Sequence, residues 1–111
     1  MTKYRAIKTE VAGIKFDSKR EAVRWQELNY LQRAGHISDL KRQVPIELVP
    51  GVKLYGEKRA RPPIRLVVDF QYTERMGQVV WEDTKGFETP LSRAKRHMAK
   101  ALHGVDVRTT A

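Results

Sequence analysis

"IRLVVDFQYTERMGQVVWEDTK", Ile64 to Lys85, contains two runs rich in β-branched and aromatic residues on either side of Met76-Gly77. Such runs read as strands, and the glycine allows the chain to reverse between them, so the segment predicts a central antiparallel pair. Side chains alternate along a strand. Val79, Trp81, Asp83 and Lys85 therefore fall on one face, and Val80, Glu82 and Thr84 on the other. In the first strand Val67 and Asp69 share a face. If the hairpin register brings the strands level, Asp69 and Asp83 converge on one point.

Upstream, residues 6–16 predict two short strands around an Ala12-Gly13 turn. The period then changes. Ala22, Trp25, Leu28 and Leu31 recur at helical spacing from Lys19 to Ala34, with Ser18 as N-cap and Gly35 as the stop. "LKRQVPIELVPG" reads as a strand that Pro45 pushes toward a sheet edge or puts at its first position. Between Val52 and Arg61 a short strand and a basic turn are expected, with Gly56 at the reversal. Downstream, Thr89 caps a second helix that has Pro90 in its first position and stops at Gly104, and "VDVR" forms a last strand. Leu91, Ala94, Met98 and Leu102 mark the expected buried face of that helix. The order is ββαββββαβ, an α/β architecture with a central mixed sheet flanked by two main helices. With 111 residues the chain makes one domain, residues 1–111.

The charge is lopsided: 22 Lys and Arg against 13 Asp and Glu give +9. An excess of that size favours a polyanion, above all nucleic acid. No run approaches the roughly 18 apolar residues of a spanning helix, which argues against the membrane as partner. "MTKYRAIKTEV" has no signal-peptide apolar core. Without cysteine the chain has no disulfide framework and no thiolate zinc site. A cytoplasmic protein that binds nucleic acid is the expectation.

Two carboxylates converging at a sheet edge repel unless a cation lies between them. Oxygen ligands suit Mg²⁺, which keeps several waters and joins one or two carboxylates to substrate phosphates. Lys85, beside Asp83, is placed to hold the attacking water or to stabilise charge on the phosphate. The competing reading is an ordinary ion pair of Asp83 and Lys85 at a strand end. Glu82 is the adjacent rival to Asp83, but alternation sends it away from Lys85.

"VVDF", followed fourteen positions from its aspartate by "DTK", resembles the split motif of the PD-(D/E)XK nuclease superfamily. The ordered set "TEVAGIKFDSKREA … LQRAGHISDLKRQVPIEL … VVDFQY … VWEDTKGFETP … AKRHM" is similar to a small family of phage-encoded proteins related to endonuclease I-type Holliday-junction resolvases. The resemblance implies a restriction-endonuclease-like fold. It also implies a Mg²⁺-dependent endodeoxyribonuclease, with Mn²⁺ able to substitute, that cuts branched DNA in phage recombination or DNA processing inside a bacterial host. Carried over residue by residue, it makes Asp69, Asp83 and Glu21 metal ligands, Lys85 the catalytic lysine and Gln43 a secondary catalytic candidate. Val68 stands where the superfamily often has proline, and Asp83 where glutamate is commoner. Glu21 has a local alternative, because Ser18-Lys19-Arg20-Glu21 also fits a capping box.

DNA would contact two basic regions. Lys41, Arg42, Lys53, Lys58, Arg59, Arg61 and Arg65 face only Glu47 and Glu57 in their stretch, and Arg93, Lys95, Arg96 and Lys100 lie on the second helix with no acid between Thr89 and Leu102. Such contacts position a duplex without reading its bases. No base-reading motif is present, so shape is the expected basis of selection. A four-way junction has two strands to cut, which makes a homodimer the natural assembly. The rival classes are a catalytically silent DNA-binding accessory protein with the same fold, and a nuclease directed at RNA.

Overall fold

Along the chain run β1 (Thr9–Val11), β2 (Ile14–Phe16), α1 (Lys19–Arg33), β3 (Ile37–Val49), β4 (Ile64–Glu74), β5 (Val79–Thr84), α2 (Pro90–His103) and β6 (Val107–Thr110). They are seen in a computed structural model that describes residues 9–11, 13–84 and 88–110. Residues 6–8 of the expected first strand, and Ala12 of its turn, lie outside the described residues. The architecture is α/β, with a mixed four-stranded sheet of order β3-β4-β5-β6 and a separate β1-β2 hairpin. Pairing is antiparallel from β3 to β5 and parallel between β5 and β6. Pro45 sits on the edge strand β3, where a missing N–H costs no interior ladder bond. The strand expected at Val52 is reduced to one bridge, Val52 to Arg61, inside a long loop that continues the β3–β4 hairpin.

Two apolar clusters pack on the sheet, side by side along β4. Leu28 of α1 packs with Ile37, Phe70, Tyr72 and Val80, and the Trp25 ring stacks on Phe70 at 5.9 Å. The second cluster joins Ala99 of α2 to Leu48, Leu66, Val68 and Val107, with Trp81 and Met98 against it. In β4, Leu66 and Val68 thus serve α2 while Phe70 and Tyr72 serve α1. The hand-over falls at Asp69. Its register opposite on β3, between the pairs Arg42–Phe70 and Val44–Val68, is Gln43, which adopts φ 50°. A left-handed glutamine inside a strand costs about 1 kcal/mol, a conformation that persists only where its surroundings impose it.

Helix α2 meets its expected buried face only in part: Met98 packs on the second cluster, but Ala94 is exposed. Leu91 and Leu102 are exposed, and Ala99 is the buried residue. The helix approaches the sheet through a small side chain, and the His103 ring N–H donates to the Leu48 carbonyl at 2.8 Å.

Glu82, only 1% exposed, explains itself by its partners. Arg24 of α1 donates to both of its oxygens at 2.6 and 2.9 Å, and the Tyr72 hydroxyl donates at 2.7 Å. Burial and the Glu82 carboxylate push the Tyr72 phenol up to about 12, which keeps it a donor at any ordinary pH. Tyr72→Phe removes one of three donors from a buried anion and should lower stability by about 1.5 kcal/mol, read from the urea midpoint at unchanged m-value.

Candidate active site

Four elements deliver the predicted polar residues to one place. Asp69 of β4 and Asp83 of β5 are cross-linked through each other's strand. The Asp69 backbone N–H donates to Asp83 Oδ1 at 2.8 Å, and the Thr84 backbone N–H donates to Asp69 Oδ2 at 2.8 Å. The β4–β5 ladder runs from Thr73–Val79 to Phe70–Glu82. Beyond it, the two carboxylates occupy backbone donors at the next step. Strand ends normally fray there, so side-chain acceptance holds both aspartates in a fixed orientation while satisfying half-buried N–H groups. Asp83 is 2% exposed.

Helix α1 contributes Glu21. Ser18 caps the helix by accepting the Glu21 backbone N–H at 3.1 Å, so the N-cap expectation holds. The Glu21 side chain turns to β3: the Gln43 amide donates to its Oε1 at 3.1 Å, and the Arg42 guanidinium lies 3.7 Å away. Burial and the negative charge of Asp69 raise the Glu21 carboxyl to about 7, against the opposing pull of Arg42 and Gln43. Gln43, which holds the Glu21 carboxylate, lies opposite Asp69 in the β3–β4 register. The left-handed backbone of Gln43 opposite Asp69 belongs to the same arrangement, since this is the residue whose amide meets Glu21.

Arg42 does more than line a surface. Its guanidinium lies over the Phe16 ring at 4.5 Å and near Trp25 at 5.7 Å while facing Glu21. Its charge is directed into the site. The remaining basic residues divide similarly. Lys41, Lys58, Arg59 and Arg65 are exposed, whereas Arg61 is held bidentately by Glu57 at 2.7 and 2.8 Å. On α2 the window between Thr89 and Leu102 lacks acids, but acids beyond it fold back. Glu88 pairs with Arg93 at 3.6 Å and with Arg96, and Asp106 pairs with Lys100 at 2.9 Å. Lys95 is half-buried. The uncompensated positive face expected on α2 is therefore partly neutralised. Lys85 lies outside the described residues.

The donor chemistry is hard oxygen: carboxylates with no sulfur and no histidine among them. Among the described residues no group of three or more His, Asp or Glu side chains is arranged to hold a metal ion. Glu21 instead directs a carboxylate oxygen to Gln43 and Arg42, leaving the Asp69–Asp83 pair as the candidate donor set. Two carboxylates suit Mg²⁺, which takes few protein ligands and completes its shell with water and phosphate. Sequence reasoning missed the Arg24–Glu82–Tyr72 network. The available signal was parity, because Glu82 shares the face of buried Val80 and so requires a buried partner.

A family model described as "Protein of unknown function (DUF1064)" matches residues 1–110. No curated protein and no solved structure matches the chain. Among the described residues no helix is long and apolar enough to cross a membrane.

Proposed function

The chain belongs to the DUF1064 family, and we propose that it is a Mg²⁺-dependent endodeoxyribonuclease of restriction-endonuclease-like fold that acts on branched DNA. The observation that carries this reading is the exchange of hydrogen bonds between Asp69, Asp83 and Thr84, with Glu21 and Gln43 brought to the same place from α1 and β3.

Asp69 and Asp83 would hold the ion. When bound, Mg²⁺ polarises the scissile phosphate and eases loss of a proton from a coordinated water. Every other role belongs to the chain. Glu21, with a carboxyl near 7, is matched to accepting a proton at neutral pH, and Gln43 holds it in place. Lys85, two positions after Asp83 in the sequence, is assigned to the charge growing on the phosphate. The exposed cations Lys41, Lys58, Arg59 and Arg65 supply phosphate contacts that position DNA without reading sequence. A two-fold pair of chains would present one site to each of two strands of a junction.

The test is a labelled four-way junction and a matched linear duplex, each incubated with the protein in Mg²⁺, in Mn²⁺ and in EDTA. Symmetric, metal-dependent nicks confined to the junction are expected. Binding to either DNA should weaken steeply with salt, by roughly one power of salt concentration for each phosphate neutralised. A second reading, a silent DNA-binding accessory protein, draws support from the lack of a three-ligand group among the described residues. It predicts salt-sensitive binding with no cut in either metal.

A further inference from the structure

The β3–β4 hairpin ends in a built loop rather than a slack one. Arg61 and Val52 exchange backbone hydrogen bonds at 2.6 and 3.1 Å, closing the loop at its base. Gly51 is pressed so close to this bridge that an added Cβ would lie 2.5 Å from the Arg61 carbonyl oxygen. At the tip the Glu57 N–H donates to the Leu54 carbonyl at 3.1 Å, forming a turn whose third residue, Gly56, has φ 80°. That is the conformation a type II turn requires and glycine adopts freely. The Arg61–Glu57 fork fastens one side of the turn to the base.

This framework presents Tyr55 at the second position of the turn, with its side chain wholly in solvent. Lys53, Lys58 and Arg59, on either side of it in the loop, are also exposed. Because Glu57 is engaged by Arg61, the rim of the loop is positive. A second copy of the loop would bring like charges together, whereas nucleic acid offers a π-face for the ring and phosphates for the cations. A loop ordered before it binds loses little entropy in doing so.

We propose that residues 50–63 form a DNA-reading arm. Tyr55 stacks on a base exposed at a strand branch or opening, while Lys53, Lys58 and Arg59 hold the flanking phosphates. The proposal rests on the nucleic-acid reading of the function and deepens it. Bases inside an intact duplex are covered by their neighbours, so the ring finds a partner only where stacking is interrupted. Selection of branched over linear DNA then follows without contact to base edges. The arm begins beyond Val49, six residues along β3 from Gln43, a span of about 20 Å in an extended strand. It acts on binding, away from the bond that is cut.

The experiment measures fluorescence anisotropy of a labelled four-way junction and its matched duplex in EDTA, with 2-aminopurine placed at the branch in a parallel sample. Tyr55→Ala should weaken junction binding about 10-fold and abolish the change in 2-aminopurine emission, with duplex affinity altered by less than about twofold. Tyr55→Phe keeps the ring and should bind as wild type. Arg59→Ala should lower the salt slope by roughly one, while Tyr55→Ala leaves the slope unchanged. Equal junction affinity for wild type and Tyr55→Ala would overturn the arm while leaving the nuclease reading in place. Conversion of a dimer to a monomer by Tyr55→Ala would also overturn it, in favour of self-association. If wild-type protein binds neither DNA, both readings fall together.

Discussion

Asp83→Asn should reduce Mg²⁺-dependent cleavage by roughly 10³-fold or more while leaving the protein folded and able to bind DNA. The expectation follows from which atom does what. Asp83 Oδ1 accepts the Asp69 backbone N–H at 2.8 Å, and the amide oxygen of asparagine can accept the same bond. What the substitution removes is negative charge, which a hard cation needs and a hydrogen bond does not. Cleavage time courses, gel shifts in EDTA and thermal melts on the same preparations separate the two. A fall in melting temperature together with lost binding would mark Asp83 as a structural residue. The neighbouring acid provides the contrast. Glu82 points to Arg24 and Tyr72 on the other face of β5 from Asp83, so Glu82→Gln should cost stability with cleavage falling only as folding does. Two acids adjacent in sequence would thus fail in different ways, because a strand turns successive side chains to opposite faces.

The same parity makes the pairing of the two aspartates legible in the sequence. The strands around Met76-Gly77 form the predicted antiparallel pair, and the Asp83 carboxylate accepts the Asp69 backbone N–H while the Asp69 carboxylate accepts that of Thr84. Glu21 is legible as a residue on the core-facing edge of α1, and it is 5% exposed. Other features depend on information that periodicity lacks. The apolar stripe of α2 names Leu91 and Leu102, yet the sheet meets the helix at Ala99. Spacing shows which side chains are apolar but not how closely a neighbour approaches, and close approach favours the small residue. The left-handed Gln43 carries no local signal, because glutamine has no preference for positive φ and only the tertiary arrangement around Glu21 holds it there. Arg24 and Glu82 are separated by 58 residues, so their pairing is invisible to any local pattern. The acids that temper α2 lie just outside the stretch whose composition makes it look uniformly basic.

The acidic cluster makes a second prediction, about stability and pH. In EDTA, wild-type protein should lose stability between about pH 4.5 and pH 7, and Glu21→Gln should not show that loss. Glu21 has its carboxyl raised from 4.5 to about 7 in the folded protein, by burial first and by Asp69 second. The folded state therefore holds this proton more tightly than the unfolded chain does. Its stabilisation is complete below the unfolded value and disappears as pH rises through the folded one. Discounted for solvent screening, a shift of that size corresponds to about 1–2 kcal/mol, a melting-temperature difference of several °C for a domain of this length. At pH 8 Glu21→Gln should accordingly melt above wild type, less whatever the lost contact to Arg42 contributed, while at pH 4.5 the two should coincide. Adding Mg²⁺ at pH 8 bears directly on the functional reading. A cation that binds only the folded state stabilises it by mass action, and it also lowers the repulsion that Asp69 exerts on Glu21. Wild-type protein should then regain part of the lost stability, and Asp83→Asn should not. Recovery in both proteins would place the ion elsewhere. Recovery in neither, with the pH profile intact, would leave a strained acidic cluster that takes no Mg²⁺, the state expected of a DNA-binding protein that has kept the fold without the catalysis.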